Sequence, residues 1–230
     1  MLRLSNITLL LDQRPCLDDI NLVFRSQGIS IVLGANGAGK TLLLKLCAGL
    51  LKPSWGILTE DNGLTPPEIT LVLHPPFLLD RTVSKNIALP LYSQHRVNVT
   101  KRTQEALEWA RIEHLSRSMA HNLSTGQQQL VALARAWALK PRLMLLDEPC
   151  ANLDPYRQQH VEQLIQQLSD EGCKIIMSSH NLSQAKRLAN DIVFLESGQV
   201  LTHSSAEDFF ASQHMDAETA EKIGEFIQYA

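Results

Sequence analysis

The feature that most constrains the fold is a glycine-rich segment that follows a short apolar run. Residues 34–41 read GANGAGKT, and residues 29–33 before them read ISIVL. This arrangement fits G-x-x-x-x-G-K-[ST], in which a strand leads into a turn whose backbone N–H groups surround a phosphate. Glycines keep the turn uncrowded, and the positive end of the next helix points at the same anion. The segment therefore predicts an ATP or GTP site on a strand–turn–helix.

The residues of this segment have separate expected roles. Lys40 is expected to reach the β- and γ-phosphates and to act in catalysis, and Thr41 is expected to place its hydroxyl on Mg²⁺. The residues expected to bind the nucleotide phosphates here are Gly34, Asn36, Gly37, Ala38, Gly39, Lys40 and Thr41. The expected cofactors are ATP and Mg²⁺.

Composition excludes several other classes of protein. The chain has 230 residues, of which 44% are hydrophobic and 20% are charged, an ordinary globular composition. Its net charge is −3 without a long block of one sign, so a nucleic-acid partner is not expected. The four cysteines show no C-x-x-C spacing, which favours reduced thiols in a cytosolic protein. Because no run of 18 apolar residues exists, any membrane role is expected to come through a partner.

The pattern along the chain predicts an α/β fold in a single nucleotide-binding domain over residues 1–230. Apolar and polar positions alternate over residues 2–33, which predicts an antiparallel β part. Strands expected at 69–73, 143–146 and 174–178 alternate with helices expected at 40–50, 124–139 and 155–168. This alternation is typical of a P-loop nucleoside triphosphatase core with a mainly parallel sheet. A more polar helical subdomain is expected to be inserted at about 80–140, and a short helical tail at about 205–230.

Two acids follow an apolar run that predicts a strand covered on both faces. The run ends at Leu146, and Asp147 and Glu148 come directly after it. Ligands of open α/β sheets bind at the carboxyl ends of the strands. We therefore expect Asp147 to hold Mg²⁺, directly or through water, and Glu148 to polarise an attacking water as a general base.

A second anion site is one of two interpretations of residues 122–127, which read NLSTGQ. Ser124 and Gln127 fit the S-x-x-Q capping box, and taken alone the segment is best explained as a helix cap. In the other interpretation the helix N-terminus, the Ser124 hydroxyl and the Gly126 N–H bind a γ-phosphate, with Gln127 beside them.

Taken together, the motifs resemble those of ATP-binding-cassette (ABC) ATPases. The phosphate loop, the LSTGQ signature, LMLLDEP, Ala151–Asp154 and Ser178-Ser179-His180 occur in that family's order over roughly residues 2–205. The resemblance implies a head-to-tail dimer of two copies of this chain with two ATP molecules between them. Each phosphate loop would then face the partner's signature segment. Residues Ala151–Asp154 would communicate across the interface, and His180 would contact the γ-phosphate.

Three positions depart from the family pattern. His74 stands where the family usually has glutamine, and it is expected to alter the Mg²⁺ contact and to make activity sensitive to pH, since only a neutral imidazole accepts a hydrogen bond. Thr125 replaces the first glycine of the signature's usual pair, while Gly126 is retained. Leu11 stands where an aromatic residue usually stacks on adenine, so it is expected to offer only apolar contact.

The function that this resemblance implies is the ATPase subunit of a membrane importer. Residues 75–79 read PPFLL, and this apolar segment is expected to dock on a transmembrane permease subunit, although a plain packed turn explains it equally well. Residues 74–91 are weakly similar to ATPases of tungstate and related oxyanion importers. The expected location is cytoplasmic, peripheral on the inner face of the cell membrane. Two alternatives remain open: a non-transport partner in cell division or lipoprotein release, and a nucleotide sensor with little turnover.

The missing aromatic residue predicts weak discrimination between bases. An aromatic contact contributes about 1 kcal/mol beyond its buried area, and Leu11 lacks it. We expect kcat/KM for ATP and GTP to differ by less than about tenfold, which corresponds to about 1.4 kcal/mol. Steady-state phosphate release with each nucleotide measures this ratio, and a strong preference for ATP would contradict the prediction.

Overall fold

The structure, a computed structural model, describes residues 1–60, 68–211, 222–224 and 226. Within these residues the strands are β1 (Leu2–Leu11), β2 (Arg14–Phe24), β3 (Ile29–Leu33), β4 (Trp55–Glu60), β5 (Ile69–Val72), β6 (Leu143–Leu146), β7 (Lys174–Ser179), β8 (Asp191–Glu196) and β9 (Gln199–Ser205). The α-helices are α1 (Lys40–Cys47), α2 (Val83–Ser93), α3 (Val99–Trp109), α4 (Thr125–Trp137), α5 (Pro155–Asp170), α6 (Leu182–Leu188) and α7 (Ala206–Ala211). Helix α7 lies at the start of the predicted tail, whose remainder lies largely outside the described residues, so the tail stays a prediction.

The strands form two sheets, as the predicted fold class requires. The smaller sheet is antiparallel in the order β2-β1-β4, and the larger one has the order β5-β6-β7-β3-β8-β9. Neighbouring strands in the series β5, β6, β7, β3 and β8 pair in parallel, and β9 adds an antiparallel edge. The prediction of a mainly parallel sheet with an antiparallel N-terminal part is confirmed.

The assignment of all of residues 2–33 to the antiparallel part was wrong for the last strand. Strand β3 pairs in parallel with β7 and β8 at the centre of the larger sheet. Every residue of β3 is buried, and a short apolar run does not reveal its pairing partner. The prediction also lacked strands β4, β8 and β9 and helix α6.

The larger sheet lies between two apolar layers because successive side chains of a strand point to opposite faces. Ile29, Ile31 and Leu33 of β3 pack in the same core as helices α4, α5 and α6. Val32 faces the other way, into a second core that includes α1 and the antiparallel sheet. The carboxyl ends of β3, β6 and β7 therefore meet at one edge, between two packed layers.

Helix α1 ends earlier than expected because of a glycine. It was expected to reach Leu50 but ends at Cys47, and Gly49 follows with φ 71°. Its N–H bonds to the Leu46 carbonyl, and the Leu50 N–H bonds to the Lys45 carbonyl, each at 2.9 Å. A left-handed glycine of this kind satisfies the last carbonyls and stops the helix.

Helices α2, α3 and α4 lie between β5 and β6 in the chain and pack on one another. The rings of Trp109 and Trp137 stack at 5.3 Å between centroids, joining α3 to α4. Asn86 of α2 is buried and bonds to both the N–H and the carbonyl of Leu79. We propose that residues 80–140 form a helical subdomain within one nucleotide-binding domain. No helix in the described part of the chain is long and apolar enough to cross a membrane.

A buried ionic cluster joins β3, β7, β8 and β9 at the amino ends of the parallel strands. Lys174 Nζ bonds to Ser30 Oγ at 2.7 Å and lies 3.8 Å from Asp191 Oδ1. Burial lowers the pKa of Lys174 to about 8, although Asp191 opposes that shift. Burial alone would raise the pKa of Asp191, but His203, Lys174 and Ser30 outweigh it and lower the pKa. The stability that Asp191 contributes is therefore lost as the pH falls through this lowered pKa.

Asp191→Asn should lower the free energy of unfolding at neutral pH by about 2 kcal/mol, because charged Lys174 would remain buried without its counter-charge. The deficit should be smaller at alkaline pH. Because Asp191 raises the pKa of Lys174, the folded variant releases the lysine proton at a lower pH than the native chain does, and it gains stability over a pH range in which the native chain does not. Urea unfolding at neutral pH and at about pH 9.5 measures both effects. The exposed Asp170→Asn is the control, and an equal deficit at both pH values would contradict the prediction.

Candidate functional site

The phosphate loop runs from the end of β3 to the start of α1, close against its neighbours. A side chain on Gly34 would bring its Cβ within 2.1 Å of the Leu195 carbonyl oxygen of β8. Gly39 caps α1 with φ 105°, a conformation that side chains disfavour, and lies against Leu17 of β2. Both glycines are therefore required by the geometry of the turn.

Lys40 lies buried beneath this loop, at the first position of α1. Its Nζ donates hydrogen bonds to the carbonyls of Gly34 at 2.8 Å and Ala35 at 3.0 Å. The same atom lies 3.5 Å from Glu148 Oε1. The lysine charge is thus held at the loop, next to one of the two acids that the sequence singled out.

Asp147 is the meeting point of α1, β6 and β7. Thr41 Oγ1 donates to Asp147 Oδ2 at 2.8 Å, and Ser178 Oγ donates to Asp147 Oδ1 at 2.7 Å. Ser178 Oγ also accepts a bond from the Glu148 N–H at 2.9 Å. One buried serine thereby holds both acids in place.

Glu148 lies between Lys40 and His180. Its Oε2 is 3.2 Å from His180 Nδ1, and its side chain is 21% exposed. Its backbone has φ 43°, a left-handed conformation that costs a residue other than glycine of order 1 kcal/mol. The neighbouring network maintains this conformation, which turns the carboxylate toward the lysine and the histidine.

A cavity of about 230 Å³ opens beside these groups. It is lined by Asn36, Gly37, Gly39, Lys40, Thr41, Leu42 and Glu148. A second cavity of about 200 Å³ shares Glu148 and is lined by His180 and the 150–153 turn, among others. The structure therefore brings together Lys40, Thr41, Asp147, Glu148 and His180.

The signature segment lies elsewhere. Ser124 and Gln127 form the predicted capping box at the start of α4, with bonds of 2.9 and 3.4 Å. A Cβ on Gly126 would come within 2.6 Å of Arg157 Cδ, so the segment packs on the start of α5. Gln127 lines a separate cavity of about 430 Å³ with residues 111–115 and 156–163. The capping interpretation is confirmed, and phosphate binding by this segment stays a prediction.

Two of the three departures from the family pattern, His74 and Leu11, have different surroundings. His74 Nε2 lies 3.4 Å from Asn152 Nδ2, which places the histidine beside the 151–154 turn. Leu11 ends β1, pairs with Arg14 and is 42% exposed. Their expected roles toward Mg²⁺ and the base stay predictions.

The donor atoms next to the phosphate loop fit Mg²⁺. Among the described residues there is no cluster of three or more His, Cys, Asp or Glu side chains that could hold a metal ion. Mg²⁺, however, commonly takes one or two protein oxygens and completes its shell with phosphate oxygens and water. The Thr41 hydroxyl and the Asp147 carboxylate supply protein oxygens of this kind within 2.8 Å of each other.

The class of protein follows from this geometry. A buried strand, a phosphate loop with its lysine and threonine, and an acid pair at the carboxyl edge of the same parallel sheet define a P-loop nucleoside triphosphatase.

Comparison with known proteins identifies the family. The family described as "ABC transporter" matches residues 17–151. The chain is 39% identical over 200 residues to the tungstate uptake system ATP-binding protein TupC of Peptoclostridium acidaminophilum, covering 84% of this chain and 92% of that one. It is 32% identical over 219 residues to the phosphate import ATP-binding protein PstB of Mycoplasmoides gallisepticum, covering 86% and 67%. A dimeric ATP-binding cassette bound to ADP and Pi superposes with a TM-score of 0.79 at 28% identity, covering 90% and 99%.

The chain therefore belongs to the ABC transporter family and is an ATP-binding, ATP-hydrolysing cassette. The resemblance seen in its motifs is confirmed.

The sequence reasoning missed the role of Ser178. The resemblance includes residues 178–180 in a motif but implies a role only for His180. Parallel pairing of β6 with β7 aligns Leu146 with Met177, which places Ser178 beside Asp147. A strand-pairing register, which no local pattern provides, was the missing information.

Ser178→Ala should reduce kcat for ATP hydrolysis by roughly tenfold, because the Asp147 carboxylate keeps the Thr41 hydroxyl but loses the Ser178 donor, and the Glu148 N–H loses its acceptor. The free energy of unfolding should fall by about 1–2 kcal/mol. Steady-state phosphate release and urea unfolding measure the two effects. Ser183→Ala, on the exposed face of α6, is the control, and an unchanged kcat in Ser178→Ala would contradict the prediction.

Proposed function

We propose that this chain is the ATP-hydrolysing subunit of an importer for an inorganic oxyanion, with tungstate as the first candidate. The observation that carries the proposal is the similarity to the tungstate uptake subunit, which extends over most of both chains. The phosphate import relative serves another oxyanion of tetrahedral shape.

In this proposal the phosphate-loop residues hold the ATP phosphates. Lys40 neutralises charge on the β- and γ-phosphates, and Thr41 and Asp147 hold Mg²⁺, which would polarise the phosphate oxygens when bound. Glu148 accepts a proton from the attacking water, and His180 orients Glu148 and contacts the γ-phosphate. The contacts that Glu148 makes with Lys40 and His180 support this assignment. They favour turnover over the alternative of a passive sensor.

A second copy of the chain completes the site. The signature segment 124–127 packs against α5, and its Gln127 lines a different cavity from the phosphate loop. A head-to-tail dimer would bring one copy's Ser124, Gly126 and Gln127 to the other copy's nucleotide. The dimeric cassette bound to ADP and Pi supports this arrangement.

The permease docks on the helical part. A groove of about 1140 Å³ lies between α2, α3 and residues 80–82 and 116–119. The exposed apolar side chains of Leu89 and Tyr92 line it, and Phe77, in the apolar segment 75–79, is exposed as well. Arg135 of α4 donates to the Phe77 carbonyl at 2.9 Å, and this bond holds the apolar segment 75–79 against α4. In this position the chain would lie on the cytoplasmic face of the cell membrane, held there by the permease.

The test is uptake by the whole transporter. We expect the tagged chain to co-purify with a permease of many membrane spans, and the complex in proteoliposomes to take up tungstate with ATP hydrolysis when its binding protein is supplied. Glu148→Gln should reduce both rates by about 100-fold or more, because it removes the general base. Glu171→Gln, at an exposed acid that directly follows α5, is the control.

The possible outcomes separate the parts of the proposal. Uptake of phosphate or sulfate without tungstate would reject the cargo and keep the importer. ATP hydrolysis without a co-purifying permease would reject the transport role. Equal hydrolysis rates in the native chain and Glu148→Gln would reject the catalytic assignment.

A further inference from the structure

Helix α5 carries a buried acid that the proposed mechanism does not use. Glu162 is 7% exposed and faces α6. Arg187 of α6 binds it with two bonds, from Nη2 to Oε1 at 2.7 Å and from Nε to Oε2 at 3.0 Å. Gln158 and Gln184 donate to the same Oε1 at 2.9 and 3.2 Å. This buried carboxylate accepts four hydrogen bonds and thereby joins α5 to α6; we call it the junction.

The junction connects to the turn that carries His180. Gln184 donates to Glu162 through Nε2, and its Oε1 accepts a bond from Ser179 Oγ at 2.8 Å. Ser179 Oγ in turn accepts a bond from the Asn181 N–H at 3.0 Å. Ser179 and Asn181 flank His180 on either side. Two side chains therefore join Glu162 to the backbone on both sides of the histidine.

The adjacent serines Ser178 and Ser179 of β7 make their hydrogen bonds on opposite faces of the sheet. Ser178 faces Asp147 and Glu148, whereas Ser179 faces Gln184, because successive side chains of a strand point in opposite directions. The histidine turn is thus held from the face opposite to the acids.

We propose that Glu162 is a positioning residue for ATP hydrolysis, which fixes the turn of His180 through Gln184 and Ser179. This inference rests on the proposed role of His180. Glu162 touches neither nucleotide nor water in the proposal, and its effect passes through the histidine.

The negative charge of Glu162 determines which way the Gln184 amide is oriented between Glu162 and Ser179. Burial alone would raise its pKa, but the bonds from Arg187, Gln158 and Gln184 outweigh burial and lower the pKa, so the group is ionised near neutral pH. An ionised carboxylate only accepts hydrogen bonds. The Gln184 amide must then direct its NH₂ to Glu162 and its oxygen to Ser179. A glutamine at position 162 has both a donor and an acceptor, so it could bond to the Gln184 amide in either orientation.

Glu162→Gln therefore tests the inference with little change in volume. We expect kcat for ATP hydrolysis by the full-length chain to fall about tenfold, while KM for ATP changes less than about twofold, because the phosphate loop is untouched. Ser179→Ala removes the hydroxyl that bonds to Gln184, and it should also lower kcat about tenfold with little change in KM. This second variant keeps the test valid if Glu162→Gln folds poorly. Gln166→Ala, exposed on α5, is the matched control.

The decisive measurement is a double-mutant cycle with His180→Ala. If Glu162 acts through His180, adding Glu162→Gln to His180→Ala should reduce kcat by less than about twofold further. Fully additive losses would overturn the inference, since a general loss of stability would also act in the His180→Ala background. An unchanged kcat in both Glu162→Gln and Ser179→Ala would overturn it as well. An unchanged kcat in His180→Ala alone would instead reject the proposed role of the histidine.

Discussion

The site depends on the hydrogen bonds that the Asp147 carboxylate accepts. Its two oxygens accept bonds from Thr41 on α1 and Ser178 on β7, so one side chain fixes the phosphate-loop helix and two strands relative to one another. The group is 5% exposed, and a buried carboxylate without such donors would be costly. The same oxygens are those that Mg²⁺ would need. Structural order at this edge of the sheet and affinity for the metal are therefore aspects of a single arrangement.

The parallel sheet makes that arrangement possible. Strands β3, β6 and β7 are neighbours in register, and each is followed by a residue or loop of the proposed site. The phosphate loop follows Leu33, the acids follow Leu146, and His180 follows Ser179. The strands are packed on both faces and are rigid, so the chemistry depends on short loops whose ends are fixed. The left-handed backbone of Glu148 can persist only in such surroundings.

Most of the residues that the structure brings together at the proposed site could be predicted from the sequence because their signals are local. The phosphate loop requires glycines at fixed spacing, and Asp147 and Glu148 follow an apolar run that identifies its own strand. The role of Ser178 could not be predicted, since it depends on which strands are neighbours and in what register. The same limitation applies to β3, whose apolar sequence is compatible with either sheet, and to Glu162, whose two partners on α6 lie 22 and 25 residues away in the chain. Gly49 did provide a local signal for the end of α1, and the expected helix nevertheless ran past it.

The separation of the phosphate loop from the signature segment bears on how hydrolysis would be controlled. The influence of a helix N-terminus falls off within about its first turn. The N-terminus of α4 packs on Arg157, and its Gln127 lines a cavity other than that of the phosphate loop, so within one chain it contributes little to the charge on the nucleotide. The proposed dimer would supply that missing contribution from the second copy. His74 lies beside Asn152, in the turn expected to face that copy, and the apolar segment expected to meet the permease begins at the next residue. Assembly of the dimer and docking of the permease would then act on neighbouring residues of the chain, which gives transport a physical route to the rate of hydrolysis.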